Sequence, residues 1–167
     1  MNVKGLLAAG MVALVGAGSI LAQLAPARAV LPPAVKATID KAYPDNTVIS
    51  TQRELRNGVD VYTVVFQTKL GAKMKAVAAY DGTLMSVAAR VDPDAMPEAV
   101  KRGIGREIPD CTIIDALKYQ TTRVALNGQV VKLAAPQVQY EVMVQSDLGI
   151  SVLMFQDSGK LIRKEGA

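Results

Sequence analysis

The stretch from Leu31 to Asp45 recurs without a gap from Met96 to Asp110. Pro32, Ala34, Val35, Lys36, Ile39, Pro44 and Asp45 return as Pro97, Ala99, Val100, Lys101, Ile104, Pro109 and Asp110, a constant offset of 65 residues. A chain that writes one supersecondary unit twice is restricted to folds in which two like units meet, since each carries the same apolar face and the same need to bury it. Further on, Tyr62, Val64 and Phe66 are echoed by Tyr140, Val142 and Val144, and Asp81 and Leu84 by Asp157 and Leu161. These later matches fall about a dozen residues beyond the first offset, which places an insertion between Tyr119 and Tyr140 in the second copy.

Each copy opens with a helical stripe and continues in strands. Pro32 and Pro33 suit a helix entry, Val35, Ile39 and Ala42 recur at helical spacing, and Pro44 stops the run. Val100, Ile104 and Ile108 make the same stripe before Pro109, with Gly103 and Gly105 inside it, each costing about 1 kcal/mol against Ala, so packing must hold this helix. The period then falls to two. Strands are predicted over 47–56, 59–67, 73–80 and 83–89, with Asn57-Gly58 as a two-residue hairpin turn and further turns at Leu70-Gly71 and Asp81-Gly82. In the second copy the strands are 112–126, 130–133, 138–145, 150–155 and 160–164, with the turn Asn127-Gly128 and a lengthened hairpin interrupted at Pro136. The expectation is an α+β chain of two tandem units, 30–90 and 97–167, each one helix followed by a four-stranded antiparallel sheet, joined by a linker over 91–96.

Residues 1–29 read as a cleavable signal peptide. Lys4 supplies the positive start, Gly5 to Leu24 is almost wholly apolar, and Ala27-Arg28-Ala29 offers small residues at the two positions a signal peptidase needs. Cleavage is expected after Ala29, with Ala27 the alternative, giving a periplasmic or extracellular chain with no stable membrane insertion. Cys111, a lone thiol in an oxidising compartment, is expected to be buried and inert.

Composition excludes most chemistry. There is no His and one Cys, which removes the commonest general base and any thiolate metal cage. No nucleophile elbow or Ser-x-x-Lys pair occurs, Asp92 and Asp94 lack the spacing of a calcium loop, and Gly103-Ile104-Gly105 lies in a helical stripe rather than after a strand. No enzyme, cofactor or metal is expected. The net charge of +4 includes Lys4 and Arg28 of the leader, so the remainder is nearly balanced. With aromatics at 4% and no Trp, nucleic acid is not an expected partner. The short runs Lys73-Met74-Lys75 and Arg163-Lys164 read as solvated strand residues.

A leader, then Leu31, Pro32, Ala34, Val35, Lys36, Ile39, Tyr43, Pro44 and Asp45, a strand, Asn57-Gly58, a strand with Tyr62 and Val64, and Asp81-Gly82 with Leu84, resembles the PepSY-like, β-lactamase-inhibitor-like family of small exported bacterial proteins. The second copy departs from it at Ile108, where Tyr would stand, and in its insertion. The resemblance implies helices on one face of the sheets, and an open sheet face that binds another protein. It carries over no binding residue.

Strand alternation supplies candidates. With Tyr62, Val64 and Phe66 turned toward the helix, Val61, Thr63, Val65 and Gln67 face away, and Gln139, Glu141, Met143 and Gln145 do so in the second copy. These eight are the candidate partner-binding residues. The expected function is a non-enzymatic exported binding protein, an inhibitor or modulator of an envelope hydrolase such as a protease or cell-wall enzyme, whose partner is another envelope protein. The alternatives are a sensor or carrier for a small apolar ligand held between helices and sheet, and a structural module of an envelope complex.

Overall fold

The computed structural model describes residues 29–166, so the leader expected over 1–29 lies, but for Ala29, outside the described residues. Its elements are α1 (Pro33–Ala42), β1 (Thr47–Arg56), β2 (Val59–Gln67), β3 (Lys73–Ala79), β4 (Leu84–Arg90), a 3-10 turn (Pro93–Ala95), α2 (Glu98–Glu107), β5 (Thr112–Leu126), β6 (Gln129–Ser146), β7 (Gly149–Gln156) and β8 (Leu161–Gly166).

Local chemistry sets these boundaries. Each helix enters through proline and ends two residues before another, because proline pushes its predecessor out of the helical region. Tyr43 and Ile108 accordingly take extended backbone with φ −135° and −143°. Asn57 and Gly58, and Asn127 and Gly128, all have positive φ, as a tight hairpin turn between twisted strands requires. Gly103 is needed by the packing: a Cβ there would stand 2.8 Å from the Gly159 carbonyl oxygen and 2.9 Å from the Phe155 ring. The helix gives up propensity at that position and gains close approach to the β7–β8 turn.

The expected arrangement of two tandem helix-plus-four-strand units, with helices on one face, is overturned by the pairing of β4 with β5. All eight strands form one antiparallel sheet in the order β1 to β8. The joining ladder runs from Ser86 opposite Thr121 to Arg90 opposite Leu117. The inserted hairpin is also continuous. β6 passes through Pro136, which sits exposed where the β5 ladder skips from Gln137 to Lys132, so its missing N–H interrupts no bond there.

Two ten-residue helices cover only patches of this sheet. Val35 and Ile39 of α1 pack on Tyr62, Val64, Phe66, Ala76 and Ala78, while Val100 and Ile104 of α2 pack on Tyr140, Val142, Val144, Leu153 and Phe155. A further core lies on the face opposite these contacts, where Val61, Val77, Ala79 and Met85 meet Ala125 of the β5–β6 hairpin, and Ala88, Leu117, Tyr119 and Met154 cluster. Sheet curvature buries that face. In a flat sheet the β1–β2 and β5–β6 turns would stand about 19 Å apart. Here Gly128 N–H donates to the Asn57 carbonyl at 2.8 Å, and Asn57 Nδ2 donates to the Ala125 carbonyl at 2.9 Å. Bulges in the β1–β2, β3–β4, β5–β6 and β7–β8 ladders add the local twist that rolls the strands.

Two glycine substitutions separate backbone strain from packing. Gly128 and Gly159 both have positive φ, but a Cβ on Gly128 meets nothing within 4 Å, whereas one on Gly159 would lie 2.1 Å from the Ala99 carbonyl oxygen. Gly128→Ala should cost about 1–2 kcal/mol from the left-handed backbone alone. Gly159→Ala should cost about 2 kcal/mol more, because α2 must move off the sheet. Urea melts of the two variants check the difference, and equal losses would show that α2 is not seated on the turn.

Candidate functional site

Alternation along β2 and β6 holds as the sequence implies: Tyr62, Val64 and Phe66 face α1, and Tyr140, Val142 and Val144 face α2. The residues on the opposite side line the concave face. Val61, Thr63 and Val65 of β2 and Gln139, Glu141 and Met143 of β6 are all buried there. Gln67 and Gln145, near the ends of the same strands, are exposed. The roll of the sheet therefore splits the eight candidates into six interior residues and two at the rim.

What the interior holds is a charged network that sequence reasoning missed. Lys75 of β3, read as a solvated strand residue, is 1% exposed. Its ammonium donates to the Tyr119 hydroxyl at 2.9 Å, and that hydroxyl donates onward to Glu141 Oε2 at 3.4 Å. Ala88 lies between Lys75 and Tyr119 in the cross-strand row, and its short side chain leaves the lysine room to reach across. Each edge strand adds an ion pair two residues apart on the same face, Arg56 with Glu54 on β1 and Arg163 Nη1 with Glu165 Oε1 at 3.3 Å on β8. Arg56 and Arg163 both act electrostatically on Lys75. In a flat sheet β8 would be about 24 Å from β3, too far for that, so the edge strands converge over the interior.

Burial dominates the protonation of this network. Desolvation pulls Lys75 down to about 8 against the attraction of Glu141. The same burial pushes Glu141 above the ordinary carboxylate range, with Lys75 and Arg163 opposing it, and pushes the Tyr119 hydroxyl well above the usual tyrosine value. A lysine with a lowered pKa beside a carboxylate could in principle move protons. A general base or nucleophile must also touch its substrate, and an ammonium buried this fully behind its own sheet does not. The arrangement is one that holds charge and closes the sheet. The signal for it was available: Lys75 shares strand parity with Val77 and Ala79, on the face that carries Val65.

Among the described residues no group of His, Cys, Asp and Glu could hold a metal ion. Cys111 is half-buried, and burial pushes its thiol up.

No family model matches the chain, and no curated protein matches it. Solved structures do. A candidate periplasmic protein of Bacteroides eggerthii superposes with a TM-score of 0.57 at 16% identity, over 82% of this chain and 89% of that one. A DUF2874 family protein of Bacteroides uniformis gives 0.55 at 17% identity, over 80% and 88%. A BLIP-like protein of Bacteroides fragilis gives 0.49 at 15% identity, over 86% and 88%, and at that score the likeness carries no argument. At these identities the first two establish a shared fold.

The network has a pH signature with a defined sign. Lys75 falls from 10.5 to about 8 on folding, so between those values the unfolded chain binds more protons and stability rises with pH. The full effect is on the order of 3 kcal/mol, from about 1.4 kcal/mol per pH unit. Lys75→Met should remove this rise from a plot of unfolding free energy against pH, leaving a flatter curve above pH 8. An unchanged slope would mean that the amine is hydrated.

Proposed function

We propose that the chain is an exported binding protein that works by contact rather than catalysis, with a protein of the cell envelope as partner and restraint of an envelope hydrolase as its effect. The observation that carries this reading is the set of apolar residues at one end of the sheet. Leu70, at the tip of the β2–β3 turn, is 95% exposed, and Leu148, in the equivalent Leu-Gly turn between β6 and β7, is 77% exposed. Ile150 is exposed beside Leu148, and Gln67 and Gln145 border the two turns. Large apolar side chains held in water at turn tips suit burial against another protein.

The tips are also pre-shaped. Gly71 N–H donates to the Thr68 carbonyl at 2.8 Å, Thr68 N–H to the Ala72 carbonyl at 2.9 Å, and Gln67 Nε2 to the Gly71 carbonyl at 3.0 Å, while Leu148 N–H donates to Ser146 Oγ at 3.3 Å. A turn already fixed by its own hydrogen bonds loses little conformational freedom on docking. Export is supported by the apolar run after Lys4 and the small residues Ala27 and Ala29. The candidate periplasmic description of the Bacteroides eggerthii protein agrees with it. Among the described residues no helix is long and apolar enough to cross a membrane.

Capture of envelope proteins by the tagged chain, with the captured protein identified and its hydrolase activity assayed, tests the reading. Leu70→Asp with Leu148→Asp should lower affinity for the captured protein by about a hundredfold or more, since each leucine is worth roughly 1.5–3 kcal/mol when buried. Urea stability should be unchanged. Capture that is indifferent to both substitutions would overturn the proposed contact surface.

A further inference from the structure

The surface between the two helices is concave and lies apart from the turn tips. A helix is about 10 Å wide and eight strands span about 34 Å, so α1 and α2 leave the middle of the sheet uncovered. A cleft of about 520 Å³ lies there, over β4 and β5. Its apolar surface comes from Met74, Leu84, Val87, Ala89 and Val91. Tyr43, at the end of α1, forms one wall and is held by its ring contact with Phe66 at 5.0 Å.

The charges around the cleft have one sign. Arg90 and Lys118 line it and no acidic residue does. Arg90 is already paired, with its Nε 2.6 Å from Asp115 Oδ1. Lys118 lies directly across the ladder from Ala89 and forms no ion pair among the described residues. An exposed ammonium at the edge of an apolar floor matches a ligand with one anionic group and a hydrocarbon body. The volume lies within the roughly 300–1,000 Å³ of small-molecule sites. Gln120, next to Lys118 on the same face of β5, can donate a further hydrogen bond to a carboxylate. A single lysine is a point charge without the fork of an arginine, which suits a monocarboxylate better than a bulky multivalent head.

We propose that this cleft binds an amphiphilic monocarboxylate, its chain along Val87 and Ala89 and its carboxylate on Lys118. Decanoate, kept below its micelle concentration, is the probe. Titrated into the whole chain with methyl-labelled Met and Val, it should shift the Met74 and Val87 resonances saturably. Lys118→Gln should weaken binding by about tenfold, the loss of roughly one exposed charge-assisted contact. Decanol should bind wild type no better than decanoate binds that variant. The double substitution at Leu70 and Leu148 should leave decanoate binding intact, which separates this site from the turn tips. No saturable shift, equal binding by Lys118→Gln, or shifts confined to other methyls would overturn the proposal. So would an acidic peptide that shifts Met74 and Val87 where decanoate does not, since the cleft would then be a seat for a protein segment.

Discussion

The ladder between β4 and β5 is the interaction on which the rest depends. Five cross-strand pairs, from Ser86 opposite Thr121 to Arg90 opposite Leu117, turn two sets of four strands into one sheet, and the Thr121 hydroxyl bonds Ser86 Oγ at 3.1 Å inside it. Two separate four-stranded sheets would each expose two edges and one apolar face. Joined, the strands share one twist that accumulates over the whole width, and an eight-stranded twisted sheet curls. The curl buries one face against itself. The same width exceeds what two short helices can cover on the other, and so opens the cleft over β4 and β5.

Closing the sheet on itself brings charges with it. Lys75, Arg56 and Arg163 face Glu54, Glu141 and Glu165, three cations against three carboxylates from four different strands. Such a network is weak evidence for stability. Desolvation offsets most of the attraction, and Thr63 Oγ1, Gln139 Oε1 and Glu141 Oε1 have no hydrogen-bond partner among the described residues. What the network constrains is register. A one-residue slip of any contributing strand would turn its charge to the other face and leave the partners buried alone, at several kcal/mol.

Local structure was legible in the sequence because local rules produce it. The proline boundaries placed both helices, Asn57-Gly58 and Asn127-Gly128 placed the hairpins, and alternation oriented Tyr62, Val64 and Phe66 toward α1. What alternation cannot supply is what lies over the other face. That depends on β4 finding β5 across a turn and a helix, and on the roll that follows. Val61, Val65 and Met143 are mixed in among polar residues, a pattern an open face and a self-covered one share. Lys75 was misread for the same reason: a lysine in a strand is solvated unless distant strands close over it. Pro136 was read as a break, yet an exposed segment with no partner to lose tolerates proline inside a strand. Gly103 looked like a weakness in α2 until the β7–β8 turn occupied the space a side chain would need.

The roll also determines where binding chemistry can reside. A half-buried antiparallel sheet ordinarily offers its uncovered face to a partner. Here that face is core, and an acid placed at Met143, across the ladder from the buried Asp115, would be buried beside a like charge before it met anything. The proposed contacts therefore fall on elements the sheet does not consume, which are the turns at its ends and the strip between the helices. The turns can hold exposed leucines because hydrogen bonds within them fix the backbone independently of the core. The strip can hold an exposed lysine because no helix reaches it. Both are positions where a side chain can change without disturbing the β4–β5 ladder, so binding specificity can vary while the sheet that supports it stays the same.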